Sequence, residues 1–247
     1  MGRLILGLGI LATLVVGCGS SGGKKAATSA AELAAVQGKY DPSVDPADFV
    51  ARVDNPLWPL KPGTAFHYVG TRGNTPQKDD ELVTQRTKRI VGIRCTVVRD
   101  TVSEHGLPIE RTLDFYAQDK HGNVWYLGED SFERQHGRFV RASDSWRSGV
   151  NGAKPGIIMP ADPRAGDRYR QEYYPPGEAL DQAHVLALDA SLRVPAGSFD
   201  HVLSTEEWSP VEPQMEAKFY ASGLGEVKEQ VTAGGHEQFS LVSVTHG

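Results

Sequence analysis

The chain has 247 residues, of which 39% are hydrophobic and 23% charged, and its formal charge is −5 at pH 7. This length suits one or two globular domains, and the composition excludes a wholly disordered chain. Net acidity with scattered lysines and arginines argues against a nucleic-acid binder. Two cysteines are too few for a disulfide scaffold or a structural zinc site, and 27 glycines indicate many turns.

The N-terminus carries the most specific signal in the chain. One positive charge, Arg3, precedes an uncharged and largely apolar run of 13 residues over 4–16. A helix of that length spans about 20 Å, too short for a hydrocarbon core of ~30 Å, so the run is typical of a signal peptide. Residues 15–18, Val-Val-Gly-Cys, resemble the bacterial lipobox, which implies cleavage after residue 17 and lipidation of Cys18. An ordinary secretory peptide is the alternative, but the Ala-x-Ala site it prefers does not occur here.

The sequence divides into three parts. Residues 1–17 are the leader, and residues 18–44 form a lipidated anchor and flexible tether rich in Gly, Ser, Ala and Lys. A capping-box pattern at 29–32 predicts a short helix that stops at Gly38. Residues 45–247 are predicted to form a single β domain.

From about Thr64 onward the hydrophobic period is two, and Gly, Pro, Asp and Asn clusters separate strand-like runs. In the run 185–194, Leu186, Leu188, Ala190, Leu192 and Val194 are predicted to share one buried face. The clearest runs are 65–69, 81–90, 93–102, 109–118, 123–129, 168–174, 185–194, 200–208, 215–221, 226–231 and 236–245.

Short turns join these runs. His105-Gly106, the segment 119–123 and His136-Gly137 each predict a tight hairpin. Connections this short exclude parallel βαβ units. We therefore predict an all-β fold, an antiparallel meander in a strongly curved sheet or open barrel, with a β-sandwich as the alternative.

Five segments resemble an uncharacterised family of bacterial secreted β-rich proteins and lipoproteins. The resemblance covers nearly the whole mature domain, with the segments in the same order, and it implies membership without implying an activity. The segments are DNPLWPLKPGT (54–64), DFYAQDKHGNVWYLGED (114–130), GAKPGIIMPADPRAGDRYRQEYY (152–174), VPAGSFDHVLSTEEWSP (194–210) and KFYASGLGEVKE (218–229).

Catalytic motifs are missing from the sequence. It has no G-x-S-x-G, H-E-x-x-H, C-x-x-C or phosphate loop, and its eight histidines occur singly. We predict no catalytic residue, no metal site and no cofactor. Cys95 shares a strand face with Ile93 and Val97, which predicts a buried, inert thiol rather than a reactive one.

Adjacent aromatic residues must point to opposite faces of a sheet. If Phe115 and Tyr126 face the core, Tyr116 and Trp125 face the other way. Tyr173 and Tyr174, which are also adjacent, must point to opposite faces too. One explanation is that the N-terminal segment covers the second face through Phe49, Leu57 and Trp58. The other is an exposed binding surface, for which the candidates are Tyr116, Trp125, Tyr173 and Tyr174.

These observations predict a non-enzymatic lipoprotein of the bacterial cell envelope, held on the extracytoplasmic side of a membrane by its N-terminal lipid. Its leading expected partner is a hydrophobic ligand or envelope component bound on the curved sheet. A structural or partner-docking envelope protein is the competing hypothesis, and a carboxylate-based hydrolase is a distant third.

The lipid anchor can be tested by replacing Cys18 with serine. Because the lipobox requires the cysteine sulfur, the Cys18→Ser chain should keep its leader and gain no acyl mass by intact-protein mass spectrometry. Normal maturation of that variant would contradict the lipoprotein assignment.

Overall fold

The computed structural model describes residues 39–247, so the leader, Cys18 and the capping-box segment lie outside the described residues. Two 3₁₀ turns, Pro46–Asp48 and Pro175–Gly177, accompany the strands. The described residues form fourteen strands: β1 (Thr64–Arg72), β2 (Thr75–Ile90), β3 (Ile93–Glu104), β4 (Leu107–Gln118), β5 (Val124–Gln135), β6 (Arg138–Arg141), β7 (Lys154–Met159), β8 (Arg168–Arg170), β9 (Glu172–Tyr173), β10 (Gln182–Val194), β11 (Gly197–Trp208), β12 (Met215–Ala221), β13 (Gly225–Ala233) and β14 (Glu237–His246).

All fourteen strands belong to one antiparallel sheet. Its order is β8-β10-β11-β12-β13-β14-β1-β2-β3-β4-β5-β7-β9, and β6 pairs with β5. The prediction of an all-β, strongly curved sheet is confirmed, whereas the alternative of two stacked sheets is wrong.

The two edges of this sheet are consecutive in the chain. Edge strands β8 and β9 are separated only by Gln171, so one short segment pairs with β10 through its first half and with β7 through its second half. Gly156 on β7 makes this junction possible, because a Cβ there would lie 2.1 Å from the Gln171 carbonyl oxygen. The sheet therefore curves until its ends meet at residues 168–173, and its concave face becomes an interior.

The hairpins follow the predicted turns. His105-Gly106 and His136-Gly137 have positive φ at both residues, the geometry of a two-residue type I′ turn. In the turn at 119–123, Asp119 Oδ1 accepts hydrogen bonds from the backbone N–H groups of His121 and Asn123, and Gly122 has φ +94°. These three hairpin predictions are confirmed.

The predicted face of the run 185–194 is wrong in part. Leu186 and Leu188 are exposed by 47% and 42%, while Val185 and Val194 are buried. The physical reason is irregular pairing with β11, whose register shifts three times between Val185 and Leu192. Each irregularity can change which side chains face inward, so a strict period of two does not hold along β10.

The two faces of β4 and β5 are also assigned differently from the prediction. Tyr116 is paired with Tyr126, and both rings lie in the interior cluster, stacked 4.8 Å apart. Phe115 and Trp125 belong to a second cluster on the convex face. The expected grouping of Phe115 with Tyr126 is wrong because the register shifts between Asp114 and Tyr116.

The segment before β1 packs against both faces, so the predicted covering of the second face is confirmed for Phe49 and is wrong for Leu57 and Trp58, which pack in the interior. Phe49 packs edge-on against Trp125 on the convex face, with ring centroids 6.3 Å apart. Leu57 packs against the interior cluster, and Trp58 lies within it, 5.6 Å from Tyr116 and 5.9 Å from Tyr220.

Gln118 fixes the covering segment at the point where it passes from the convex face to the interior. Its Oε1 accepts hydrogen bonds from the backbone N–H groups of Asp54 and Asn55, and its Nε2 donates to Asp54 Oδ1. The covering segment also reaches further toward the N-terminus than the predicted domain boundary at 45, since the Tyr40 hydroxyl donates to the Pro155 carbonyl over 2.7 Å.

Trp58 should contribute strongly to stability because it is 3% exposed and joins the covering segment to the interior. Trp58→Ala should lower the free energy of unfolding by about 3–5 kcal/mol, measured by urea denaturation. Val150→Ala, at an exposed loop position, is the control and should change it by less than about 0.5 kcal/mol. Equal effects of the two substitutions would contradict the covering role.

Candidate functional site

The candidate site is a row of carboxylates on the concave face of β2–β5, here called the acidic band. Its members are Asp79, Glu81, Asp100, Asp114 and Glu129. The alternation of side chains places them beside the interior residues Val83, Val98, Val102, Tyr116 and Tyr126. Each carboxylate of the band is at most 6% exposed.

Three of these carboxylates converge. Asp79, Glu81 and Asp100 each offer an oxygen, and the three oxygens lie within 4.8 Å of one another. Oxygen donors at that separation can contact one hard cation such as Ca²⁺ or Mg²⁺. The sequence prediction of no metal site missed this group, because Asp100 is brought beside Asp79 and Glu81 only by the pairing of β2 with β3.

Tyr126 links the other two carboxyls of the band. Its hydroxyl oxygen lies 2.7 Å from Asp114 Oδ1 and 3.0 Å from Glu129 Oε2. A phenol has one proton to donate, so both contacts are hydrogen bonds only if one carboxyl is itself protonated and donates. The geometry therefore favours a proton shared within the Asp114–Tyr126–Glu129 group.

The same two carboxyl oxygens are at most about 5.7 Å apart, since both contact the Tyr126 hydroxyl. That separation is close to the spacing of a retaining glycosidase pair. Asp114 and Glu129 are, however, 3% and 2% exposed, and the stacked rings of Tyr116 and Tyr126 lie beside them. This arrangement offers no open cleft at the pair.

Two further carboxyls face the band from other segments. Glu172 lies on edge strand β9 and is fully buried, and Asp144 lies in the segment between β6 and β7 and is 1% exposed. Within the described part of the chain, neither oxygen of either carboxyl has a hydrogen-bond partner. The Tyr116 hydroxyl, fully buried, likewise has none among those residues.

The position of Asp144 follows from a close approach of two segments. The backbone N–H of Glu129 donates to the Trp146 carbonyl over 2.8 Å, so residues 142–148 run back along β5. Gly128 permits this contact, because a Cβ there would lie 2.3 Å from the Trp146 carbonyl oxygen. Trp146 then packs edge-on against Tyr126 with ring centroids 5.5 Å apart.

Burial and mutual repulsion raise the pKa values of these carboxyls. Burial, with the neighbouring charge of Asp100, raises the pKa of Asp114 to about 7. Burial and Glu133 raise the pKa of Asp144 to about 6. Burial, and then the charge of Glu172, raise the pKa of Glu129. Burial, and then the charge of Asp181, raise the pKa of Glu172.

The far side of the interior is electrostatically different, because it contains Lys218. The Lys218 ammonium lies 3.4 Å from Glu207, 3.4 Å from Glu216 and 3.3 Å from Glu229. Glu207 also accepts hydrogen bonds from Tyr220, Thr205 and Gln171, at 2.7–2.9 Å. Burial acts to raise the pKa of Glu207, but Lys218 and these donors hold it below its usual range.

The overall balance of buried charge is strongly negative. The buried side chains of residues 39–247 include fourteen aspartates and glutamates but a single cation, Lys218. A buried carboxylate is costly without a counter-charge, so Asp114 and Glu129 of the acidic band favour protonation or a bound positive charge.

The sequence-predicted binding residues are placed in three different environments. Tyr116 is in the interior beside the acidic band. Trp125 is half-buried on the convex face, and its Nε1 donates to Asp119 Oδ2 over 2.9 Å. Tyr173 packs against Tyr40, and Tyr174 packs against the interior cluster. The structure does not bring these four residues together, and their role in ligand binding stays a prediction.

One small apolar cavity lies beneath the covering segment. Its volume is about 20 Å³, and Trp58, Leu60, Phe66, Tyr68 and Leu224 contribute to its lining. That volume holds about one water molecule and is far too small for an acyl chain.

No family model and no curated protein matches this chain. Two solved structures show a distant likeness. One is a protein from Bacteroides fragilis described as exported and as having a YmcC-like fold, with 12% identity, a TM-score of 0.40, and coverage of 76% of this chain and 98% of that chain. The other is a protein from Parabacteroides distasonis described as a lipoprotein, with 14% identity, a TM-score of 0.37, and coverage of 77% and 99%. Neither likeness is close enough to bear on function.

Across residues 39–247, the structure contains no helix with the length and apolar character needed to cross a membrane.

The raised carboxyl pKa values predict that stability falls as pH rises. A carboxyl whose pKa is higher in the folded state binds more protons there, so its stabilisation is complete below about pH 4 and is lost as pH rises toward about 7. The asparagine of Asp114→Asn cannot ionise, so this substitution should flatten the slope between pH 5 and 7 by at most about 1.4 kcal/mol per pH unit. Urea denaturation in EDTA across this range measures it.

Asp189→Asn, at an exposed position on β10, is the matched control and should keep the slope of the unmodified protein. A slope that Asp114→Asn leaves unchanged would show that Asp114 is ionised in the folded state throughout this pH range.

Proposed function

We propose that this chain is a lipid-anchored protein of the bacterial cell envelope that has no catalytic activity and binds a divalent cation in the acidic interior of its curved sheet. The envelope location and the anchor rest on the leader at 1–17 and the lipobox cysteine Cys18. The cation rests on the residues of the concave face.

One observation carries the ligand assignment: both carboxyl oxygens of the fully buried Glu172 have no hydrogen-bond partner among the described residues, and Glu172 lies near further buried carboxyls, those of Asp114, Glu129 and Asp144. Folded proteins pair almost all such groups, and unpaired ones in a native structure mark a missing water or ion. Several carboxylates around one space select a positive charge.

The donor set favours a hard cation. Asp79, Glu81 and Asp100 supply only carboxylate oxygens. Burial, and then the charges of Asp114, Glu81, Glu129 and Glu172, raise the pKa of the fully buried Tyr116 hydroxyl. Oxygen-only sites suit Ca²⁺ and Mg²⁺, whereas zinc and copper prefer nitrogen or sulfur. Cation binding would replace protons on the band, so it should strengthen as pH rises.

The hydrophobic ligand favoured by the sequence is less well supported by this interior. A bound acyl chain would have to lie against carboxylates, which gain nothing from apolar contact and lose their neutralising partners. The cavity beneath Trp58 is too small for such a chain. Catalysis by Asp114 and Glu129 is disfavoured because both carboxyls are engaged with Tyr126 and buried from solvent.

Thermal unfolding at pH 7.5 with CaCl₂ or MgCl₂ tests the proposal. A cation at about 100 times its Kd stabilises by about 2.7 kcal/mol, which for a domain of this size raises the Tm by roughly 5–10 °C. Asp100→Asn should abolish that rise, because it replaces one of the three converging carboxylates with a neutral amide, which binds a divalent cation much more weakly. The exposed substitution Asp189→Asn should keep the full rise.

A second measurement separates the alternatives. Mass spectrometry of molecules released from the purified protein reports any bound lipid. No effect of either cation, together with a co-purified acyl lipid, would establish the hydrophobic-ligand alternative instead. No cation effect and no bound molecule would favour a structural or partner-docking role.

A further inference from the structure

The convex face of β2–β6, with the segment that follows β6, has the opposite charge to the interior. Its exposed or half-exposed cations, here called the basic patch, lie around two carboxylates, Asp130 and, beside Arg99 and Arg111, Asp80. They are Lys88, Arg99, Arg111, Arg134, Arg141 and Arg147. For a chain with a formal charge of −5, this is a strong local excess of positive charge.

Strand pairing makes the basic patch continuous. Arg111 lies opposite Thr101 on β3 and opposite Phe132 on β5, and Phe132 lies opposite Arg141 on β6. Because residues at alternate positions share a face, Arg99 lies on the same face as Thr101. The Arg111 guanidinium lies 4.3 Å from the Phe139 ring centroid, which also places β6 beside this row.

The arginines are held in place by contacts that leave their outer edges open to solvent. Arg141 and Arg147 both donate to Asp130, Arg141 over 2.8 Å, and Lys88 lies 3.3 Å from the same carboxylate. Arg141 also lies over the Phe132 ring at 6.0 Å. A guanidinium fixed against a ring keeps donors for a phosphate group, which it can bind through two parallel hydrogen bonds.

The chain reaches this same face from its anchor. The described residues begin at Lys39, 21 residues after the predicted lipid attachment at Cys18. Residues 45–49 then lie over the convex cluster, where Phe49 contacts Trp125. That cluster includes Phe115, whose ring lies 4.6 Å from the Lys88 ammonium at the border of the basic patch.

We propose that the basic patch rests on anionic lipid headgroups of the membrane that holds the anchor, so that the convex face points to the bilayer and the acidic interior is held above it. This proposal depends on the lipid anchor proposed above. A short tether keeps the patch within reach of the surface, and phosphate headgroups match the charge and the donor geometry of the arginines.

A depth-sensitive probe tests the orientation directly. The lipidated mature protein is reconstituted in vesicles of phosphatidylcholine with or without phosphatidylglycerol, and a fluorophore is attached to Thr101→Cys in the basic patch or to Leu188→Cys on β10. Cys95 is fully buried and Cys18 carries the lipid, so the added thiol is labelled selectively. Headgroup spin labels then report proximity by quenching.

The Thr101→Cys probe should be quenched in anionic vesicles and not in neutral ones, and about 0.5 M salt should remove the quenching. The Leu188→Cys probe should stay unquenched. Arg111→Gln and Arg141→Gln should each lower the contact equilibrium about fivefold. Arg193→Gln, an exposed arginine on β10, is the control and should have no effect.

Failure of the anchor and failure of the orientation give different results. Protein that does not remain with vesicles after flotation contradicts the anchor. Protein that floats with vesicles but shows no charge-dependent quenching at position 101 overturns the orientation. The orientation is also overturned if a soluble polyanion such as heparin shields the Thr101→Cys probe and anionic vesicles do not.

Discussion

Strong curvature of one antiparallel sheet places about half of the side chains of its strands in a shared interior, and the carboxyl groups there lose most of their contact with water. Everything distinctive about this molecule follows from that constraint. A carboxylate transferred to such an interior needs a proton, a cation or several hydrogen-bond donors. The junction at residues 168–173 is therefore an electrostatic feature as well as a topological one, because it carries Glu172 and Gln171 to opposite sides of the interior.

The two sides neutralise their carboxyls in different ways. Around Lys218, one ammonium and the donors from Tyr220, Thr205 and Gln171 satisfy Glu207, so its pKa stays low. At Asp114 and Glu129 the neighbours are largely other carboxyls and the Tyr126 hydroxyl, and burial together with the nearby carboxylates raises the pKa values. Removing one partner of a buried ion pair is strongly destabilising, so Lys218 is best explained as structural. The acidic band, in contrast, can exchange protons for a bound cation.

Much of the fold could be predicted from the sequence, because it depends on local chemistry. The His-Gly and Asp-x-x-Gly turns need positive φ and short connections, and residues adjacent in the sequence determine both. The assignment of strand faces from a period of two is wrong where strand pairing is irregular. Register shifts along β10 expose Leu186 and Leu188. The shift before Tyr116 changes which aromatic residues share a face. A bulge depends on the partner strand, so a single run of residues does not reveal it.

The candidate site was harder to predict for the same reason. Asp79 and Asp100 are 21 residues apart, and Glu172 is further still, so only the sheet order brings them to one interior. Their sequence contexts, such as the acidic run Asp79-Asp80-Glu81, are also those of ordinary solvated strands. The lipobox, by contrast, is a contiguous pattern and could be recognised without any structure.

The most direct test of the central claim is infrared spectroscopy of the carboxyl groups in the chelator-treated protein at pH 7. Protonated carboxylic acids have a carbonyl stretch distinct from that of carboxylates. If the buried carboxyls hold protons until a cation replaces them, this carbonyl stretch is present at pH 7 in the cation-free protein, weaker in Asp114→Asn, and lost when CaCl₂ is added. A spectrum with no protonated carboxyl band at pH 7 before the cation is added would contradict that claim.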